Sequence, residues 1–124
     1  MQVEPYVYFQ GRCEEALEFY RDAIGADAAV VARFGDKVGH AVLRIGDTTV
    51  LASDGEGAGQ SDFSGFSLSL TVSDDAEAER LFAALSDGGR VQVPIAPTPF
   101  ASRLGLVADR FGVPWMVVSQ NATR

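Results

Sequence analysis

The sequence predicts an α+β fold: two βαβββ modules in one chain, forming a curved mixed sheet around a central cavity, with the helices on the outer face. Three observations predict it. Two amphipathic helical segments lie about 62 residues apart, each is preceded by one strand and followed by three, and a Gly/Ser/Asp-rich connector separates the halves. The chain has 124 residues and 47% hydrophobic content, enough to fill a shared core without metal or disulfide staples.

Module one spans about 1–54. Pro5 to Gln10, rich in Tyr, Val and Phe and stopped by Gly11, reads as the first strand. A helix over about 12–24 follows, because Ala16, Leu17, Tyr20, Ala23 and Ile24 recur at spacings of three and four. Glu14 and Glu15 suit its positive N-terminus, and Gly25 suits its C-terminal cap. Strands are expected at 28–34, 40–45 and 49–53, separated by Gly35-Asp36-Lys37 and Gly46-Asp47.

The connector covers about 55–64, and module two about 65–124. Phe66 to Val72 alternates apolar and hydroxyl residues, as a strand with one apolar face does. Asp74 and Glu77 have capping-box spacing, Leu81, Phe82 and Leu85 supply a helix face, and Gly88-Gly89 ends it. Strands are expected at 91–95, 104–108 and 113–119. At the offset of 62, Phe19-Tyr20 falls on Leu81-Phe82 and Asp47 on Asp109.

Strand parity then assigns the cavity walls. In module two the large apolar residues of the first strand must face the helix, which sends Ser67, Ser69 and Thr71 to the cavity. Repeat equivalence carries Pro5, Val7 and Phe9 to the same face and puts Tyr6 and Tyr8 opposite. Phe9, Phe100, Trp115 and Met116 are candidates for a flat apolar lining or for plain core.

Ten basic residues against seventeen acidic give a net charge of −7, a field that repels phosphate backbones, so nucleic acid is not an expected partner. No apolar run approaches a membrane span and the N-terminus lacks signal-peptide regions, so a cytoplasmic protein with no membrane partner is expected. One cysteine and one histidine cannot build a zinc cluster or an internal disulfide.

The segments Pro5-Tyr-Val-Tyr-Phe-Gln-Gly11, Glu14 to Gly25, His40 to Gly46 and Asp109-Arg-Phe-Gly-Val-Pro-Trp-Met116 together resemble the vicinal-oxygen-chelate superfamily, and within it the PhnB-like subgroup. That superfamily contains glyoxalase I, extradiol dioxygenases, fosfomycin-modifying enzymes and bleomycin-resistance proteins. The resemblance implies a divalent ion held from four positions, which fall here on Pro5, Leu51 or Ala52, Ser67 and Met116. None is a His or a carboxylate, so no metal and no other cofactor is expected.

The candidate ligand-binding residues are Val7, Phe9, His40, Ser67, Ser69, Thr71, Arg103, Trp115 and Met116. His40 is the only imidazole and hence the one candidate for acid–base catalysis. Arg103 pairs with an anionic group or is simply solvated. Cys13, near a helix N-terminus but beside Glu14 and Glu15, is a weak candidate thiol. Asp54, Glu56 and Asp62 serve solubility or attract a cation. The expectation is a homodimeric, metal-independent protein that binds a neutral or cationic organic compound, by resemblance a sequestering protein of the bleomycin-resistance type. The alternative is an enzyme of the same superfamily, lyase or dioxygenase in type, with a non-standard site around His40.

Overall fold

The computed structural model describes residues 1–55 and 63–120, so Glu56 and Asp62 lie outside the described residues. The chain divides into two compact units, Met1–Ser61 and Asp62–Arg124. The first holds β1 (Tyr6–Tyr8), α1 (Cys13–Ile24), β2 (Asp27–Phe34), β3 (Lys37–Ile45) and β4 (Thr48–Ser53). The second holds β5 (Leu68–Val72), α2 (Asp75–Ser86), β6 (Arg90–Thr98), β7 (Ala101–Ala108) and β8 (Pro114–Ser119). Each unit is a βαβββ module, as the repeat predicts, and the two helices begin 62 residues apart.

Each module folds into one mixed four-stranded sheet, ordered β1-β4-β3-β2 and β5-β8-β7-β6. The last strand of each module slips between the first and third. It runs parallel to the first, which a helical crossover permits, and antiparallel to its hairpin partner. One face of each sheet is covered by its helix. Under α1, the helix residues Ala16, Leu17 and Tyr20 bury against a sheet core of Val7, Ala41, Leu43, Val50 and Ala52. Under α2, Ala78, Leu81, Phe82 and Leu85 bury with Val107, Trp115 and Val117. Gly105 makes this second packing possible: a methyl group there would stand 2.6 Å from Cε1 of Phe82.

Several element boundaries move. β3 begins at Lys37 instead of His40, because Gly35-Asp36 alone turns the hairpin and Phe34 pairs directly with Lys37. β6 continues through Pro94 and Pro97 to Thr98. It is an edge strand, where a missing N–H costs no ladder bond, and its register slips around both prolines. β5 begins at Leu68, so Phe66 packs against Phe63 ahead of the strand and stays half exposed.

The more consequential correction concerns faces. Val7 and Phe9 were expected to point away from the helix, but both are 4% exposed, and the Phe9 ring sits 6.1 Å from that of Tyr20 on α1. Tyr6 and Tyr8 take the face away from α1 instead. The cause lies in the link between β1 and α1, where Gln10 and Gly11 adopt φ of 52° and 91° in succession. No such kink occurs in Ser73-Asp74, so strand and helix are offset by an odd number of residues between the modules. A parity carried across at a fixed offset therefore inverts.

The helix starts are pinned in complementary ways. Asp74 caps α2, its side chain accepting from the Glu77 N–H at 3.1 Å, as its spacing predicts. α1 has no such cap on its own segment. Asp54, just past β4, supplies it from 41 residues away, accepting from the Cys13 N–H at 2.8 Å and from the Val38 N–H at 2.7 Å. Asp54 is buried, which corrects its assignment to solubility.

Candidate functional site

In the first module, the sheet face turned away from α1 carries the candidate site. Alternation along β1 and β3 brings Tyr6, Tyr8, His40 and Val42 to this face, opposite in sense to Val7, Ala41 and Leu43. The Tyr6 and Tyr8 rings stack with centroids 4.7 Å apart. Tyr6 Oη lies 3.1 Å from His40 Nδ1, and the two rings are 5.6 Å apart.

Beside them opens a groove of about 380 Å³, lined by Tyr6, Tyr8, Phe34, Lys37, Val38, Gly39, Ser53 and Gly55. Its geometry follows from the β2–β3 hairpin. Phe34 lies over Gly39, where a methyl group would collide with the ring, and Phe34 remains 74% exposed although aromatic. Tyr8, 49% exposed, forms part of the wall. Ser53 sits at the end of β4 and accepts from the Gly55 N–H at 3.2 Å, which leaves its own hydrogen to donate.

The residues that the sequence nominated scatter around this arrangement. His40 is at the groove's edge through Tyr6. Val7 and Phe9 are buried beneath α1. In the second module, Ser69 and Met116 are in direct register on the face away from α2, and Thr71 stands beside Val118 on the same face. Ser67 is exposed ahead of β5. Trp115 cannot share a face with Met116, being the next residue on the strand. It is buried on the α2 side, donating from Nε1 to Asp109 at 2.9 Å. Phe100 is exposed at the β6–β7 turn.

Arg103 is partly exposed but not turned to the open face. It reaches Glu79 at 2.9 Å and Asp75 at 3.6 Å, both on α2. Cys13 is fully buried, and burial, with Asp54 and Glu14 nearby, pushes its thiol up to about 12, the reverse of an activated nucleophile.

The positions implied for a divalent ion do not offer a fitting donor set. Leu51 is paired with Tyr6, Ala52 faces α1, and Met116 adjoins Ser69, so the side chains present are aliphatic, hydroxyl and thioether. Among the described residues no three of His, Cys, Asp and Glu converge. Among the described residues no helix is long and apolar enough to cross a membrane.

Sequence reasoning missed Tyr6, Tyr8, Phe34, Lys37, Gly39 and Ser53. The available signal was that two tyrosines alternate on one face of β1, close in sequence terms to no other hydroxyl-bearing aromatic except Tyr20, which faces the core.

Comparison with known proteins bears on what such a face can do. Residues 2–117 match the family model described as Glyoxalase/Bleomycin resistance protein/Dioxygenase superfamily. The chain is 30% identical to Protein YjdN of Escherichia coli strain K12, with the whole of both chains covered. Its fold matches protein PA1353 of Pseudomonas aeruginosa at a TM-score of 0.88 and 40% identity, covering 98% of each chain. A putative 3-demethylubiquinone-9 3-methyltransferase, PhnB protein, from Bacillus cereus matches at a TM-score of 0.84 and 21% identity, covering 96% of this chain and 99% of that one, a likeness of fold.

Proposed function

Because the chain belongs to the glyoxalase/bleomycin resistance protein/dioxygenase superfamily, we propose that it is a metal-independent small-molecule-binding protein, holding an aromatic organic compound in the groove of its first module and working by sequestration. The observation that carries this reading is the stacked Tyr6–Tyr8 pair, a large aromatic surface held beside a groove of about 380 Å³. Apolar surface left in water costs roughly 25 cal/mol per Å², and a planar ligand laid on such a wall recovers that cost and adds about 0.5–1.5 kcal/mol of ring–ring contact. The metal-ion positions supply no competing chemistry of their own. The homodimer expected from the sequence is part of the same reading, and sedimentation equilibrium with only a 13.2 kDa species would remove it.

Calorimetric titration with a naphthalene probe tests the reading. Tyr8→Ala weakens binding at least tenfold, while Thr71→Val in the second module leaves it unchanged. Binding indifferent to Tyr8→Ala places the ligand elsewhere.

A second reading, catalysis around His40, rests on its contact with Tyr6, which is an acid–base pair at the groove's edge. Among the described residues no carboxylate orients the imidazole, so the pair lacks the third member that usually sets the tautomer.

A further inference from the structure

Resting on the groove reading above, we infer that the ligand is an aromatic monoanion, recognised by Lys37 and by the donor hydroxyls around it. Among the described residues that line it, the groove's polar inventory is one-sided. Lys37 is the only lysine in the chain, it lines the groove, and among the described residues it has no ion-pair partner. The other lining groups that can donate are the Tyr8 hydroxyl and the Ser53 hydroxyl, the latter already accepting from Gly55. Tyr6 and His40 satisfy one another, whichever of them carries the shared proton.

Among the described residues no carboxylate lines the groove. Asp54 is adjacent in sequence to both Ser53 and Gly55, but its two oxygens are turned to the Cys13 and Val38 N–H groups. Among these residues a cationic ligand would therefore meet an ammonium and no counter-charge, whereas a carboxylate finds an ammonium and hydroxyl donors in one place. The sign is opposite to the one that net charge alone suggests. A net −7 acts mostly at distances beyond the Debye length of about 8 Å at physiological salt, while Lys37 acts in contact. A single ammonium suits one negative charge. Among the described lining residues Lys37 is the one cation, so the fork that a phosphate dianion calls for is missing: Arg33 on the same hairpin is paired with Glu14, and Arg103, the arginine nominated from the sequence, is held by Glu79 and Asp75 in the other module.

The test compares three probes of one shape by calorimetry: naphthalene-2-carboxylate, naphthalene-2-carboxamide and 2-naphthylmethylammonium. The carboxylate binds at least tenfold tighter than the other two. Lys37→Gln brings it down to the amide's affinity and leaves the amide unchanged, and Lys37→Arg keeps most of the preference. Lys37 is exposed on a hairpin, so neither change threatens folding. Equal binding of all three probes, tighter binding of the ammonium, or a carboxylate preference that survives Lys37→Gln overturns the inference while leaving an aromatic groove intact. Binding of none of them, or binding insensitive to Tyr8→Ala, overturns the groove reading and this one with it.

Discussion

Asp54 holds the backbone N–H of Cys13 at 2.8 Å, so the start of α1 is fastened to a residue just beyond the last strand of its module. The second module makes the equivalent tie with the polarity exchanged. There the carboxylate belongs to the helix: Asp75, 62 residues after Cys13, accepts from the hydroxyls of Ser102 at 2.6 Å and Ser119 at 2.7 Å on β7 and β8. Both solutions satisfy buried polar groups where the helix N-terminus meets the sheet, and the helix dipole favours a carboxylate in either case.

From this, Asp54→Ala leaves two buried N–H groups without acceptors. Charge-assisted hydrogen bonds are worth about 1.5–3 kcal/mol each, so for the two together a loss of roughly 3–6 kcal/mol is expected. Asp54→Asn, which keeps one acceptor oxygen, costs less. Urea midpoints of the two variants check this, and an Ala variant within about 0.5 kcal/mol of the parent contradicts it.

Asp109 is the corresponding anchor of the β7–β8 connection. It accepts from the N–H groups of Phe111 and Val113 through one oxygen and from Trp115 Nε1 through the other. Asp109→Ala removes three such bonds, so on the same grounds it should destabilise by about 4.5 kcal/mol or more and red-shift the Trp115 emission as water reaches the indole. A stable variant with unshifted emission would show the network to be dispensable.

Cys13 gives a pH prediction. Its folded value, raised from 9.0 to about 12 by burial first and then by Asp54 and Glu14, means that the folded chain holds the thiol proton more tightly than the unfolded chain. That contribution to stability is fully present below pH 9 and is lost as pH rises from about 9 to 12. Cys13→Ala should flatten this part of the stability–pH curve. In the parent, a thiol reagent at pH 8 should react only at the rate of unfolding, and rapid labelling of native protein would refute the burial.

Divalent ions should leave the melting temperature unchanged. The ion positions that the family resemblance implies hold Pro5, Leu51 or Ala52, Ser67 and Met116 here, so neither chelator nor added Mn²⁺ or Zn²⁺ gains or loses a bound state. A saturable rise in Tm with one of these ions, abolished by His40→Ala, would reveal a site built on other donors.

The chain alone makes legible the βαβββ repeat, the two helices to within a residue of their ends, and the residue types at the ion positions that the family resemblance implies. These rest on local signals: apolar periodicity, Gly25 and Asp74 as caps, and residue types that cannot ligate. Parity within a strand was legible too, as the alternation of Leu68, Ser69, Leu70 and Thr71 shows. Which face of β1 turns away from α1 emerges only on folding, because two positive-φ residues at Gln10-Gly11 shift strand against helix, and a one-residue shift exchanges every side chain between core and surface. Folding also decides the partners of charged residues. Asp54, Asp109 and Arg103 look like ordinary surface charges in a one-dimensional reading, and what each becomes depends on groups 41, 6 and 24 residues away. Lys37 acquires its meaning in the same manner, from a hairpin that sets it beside Tyr8, Phe34 and Ser53.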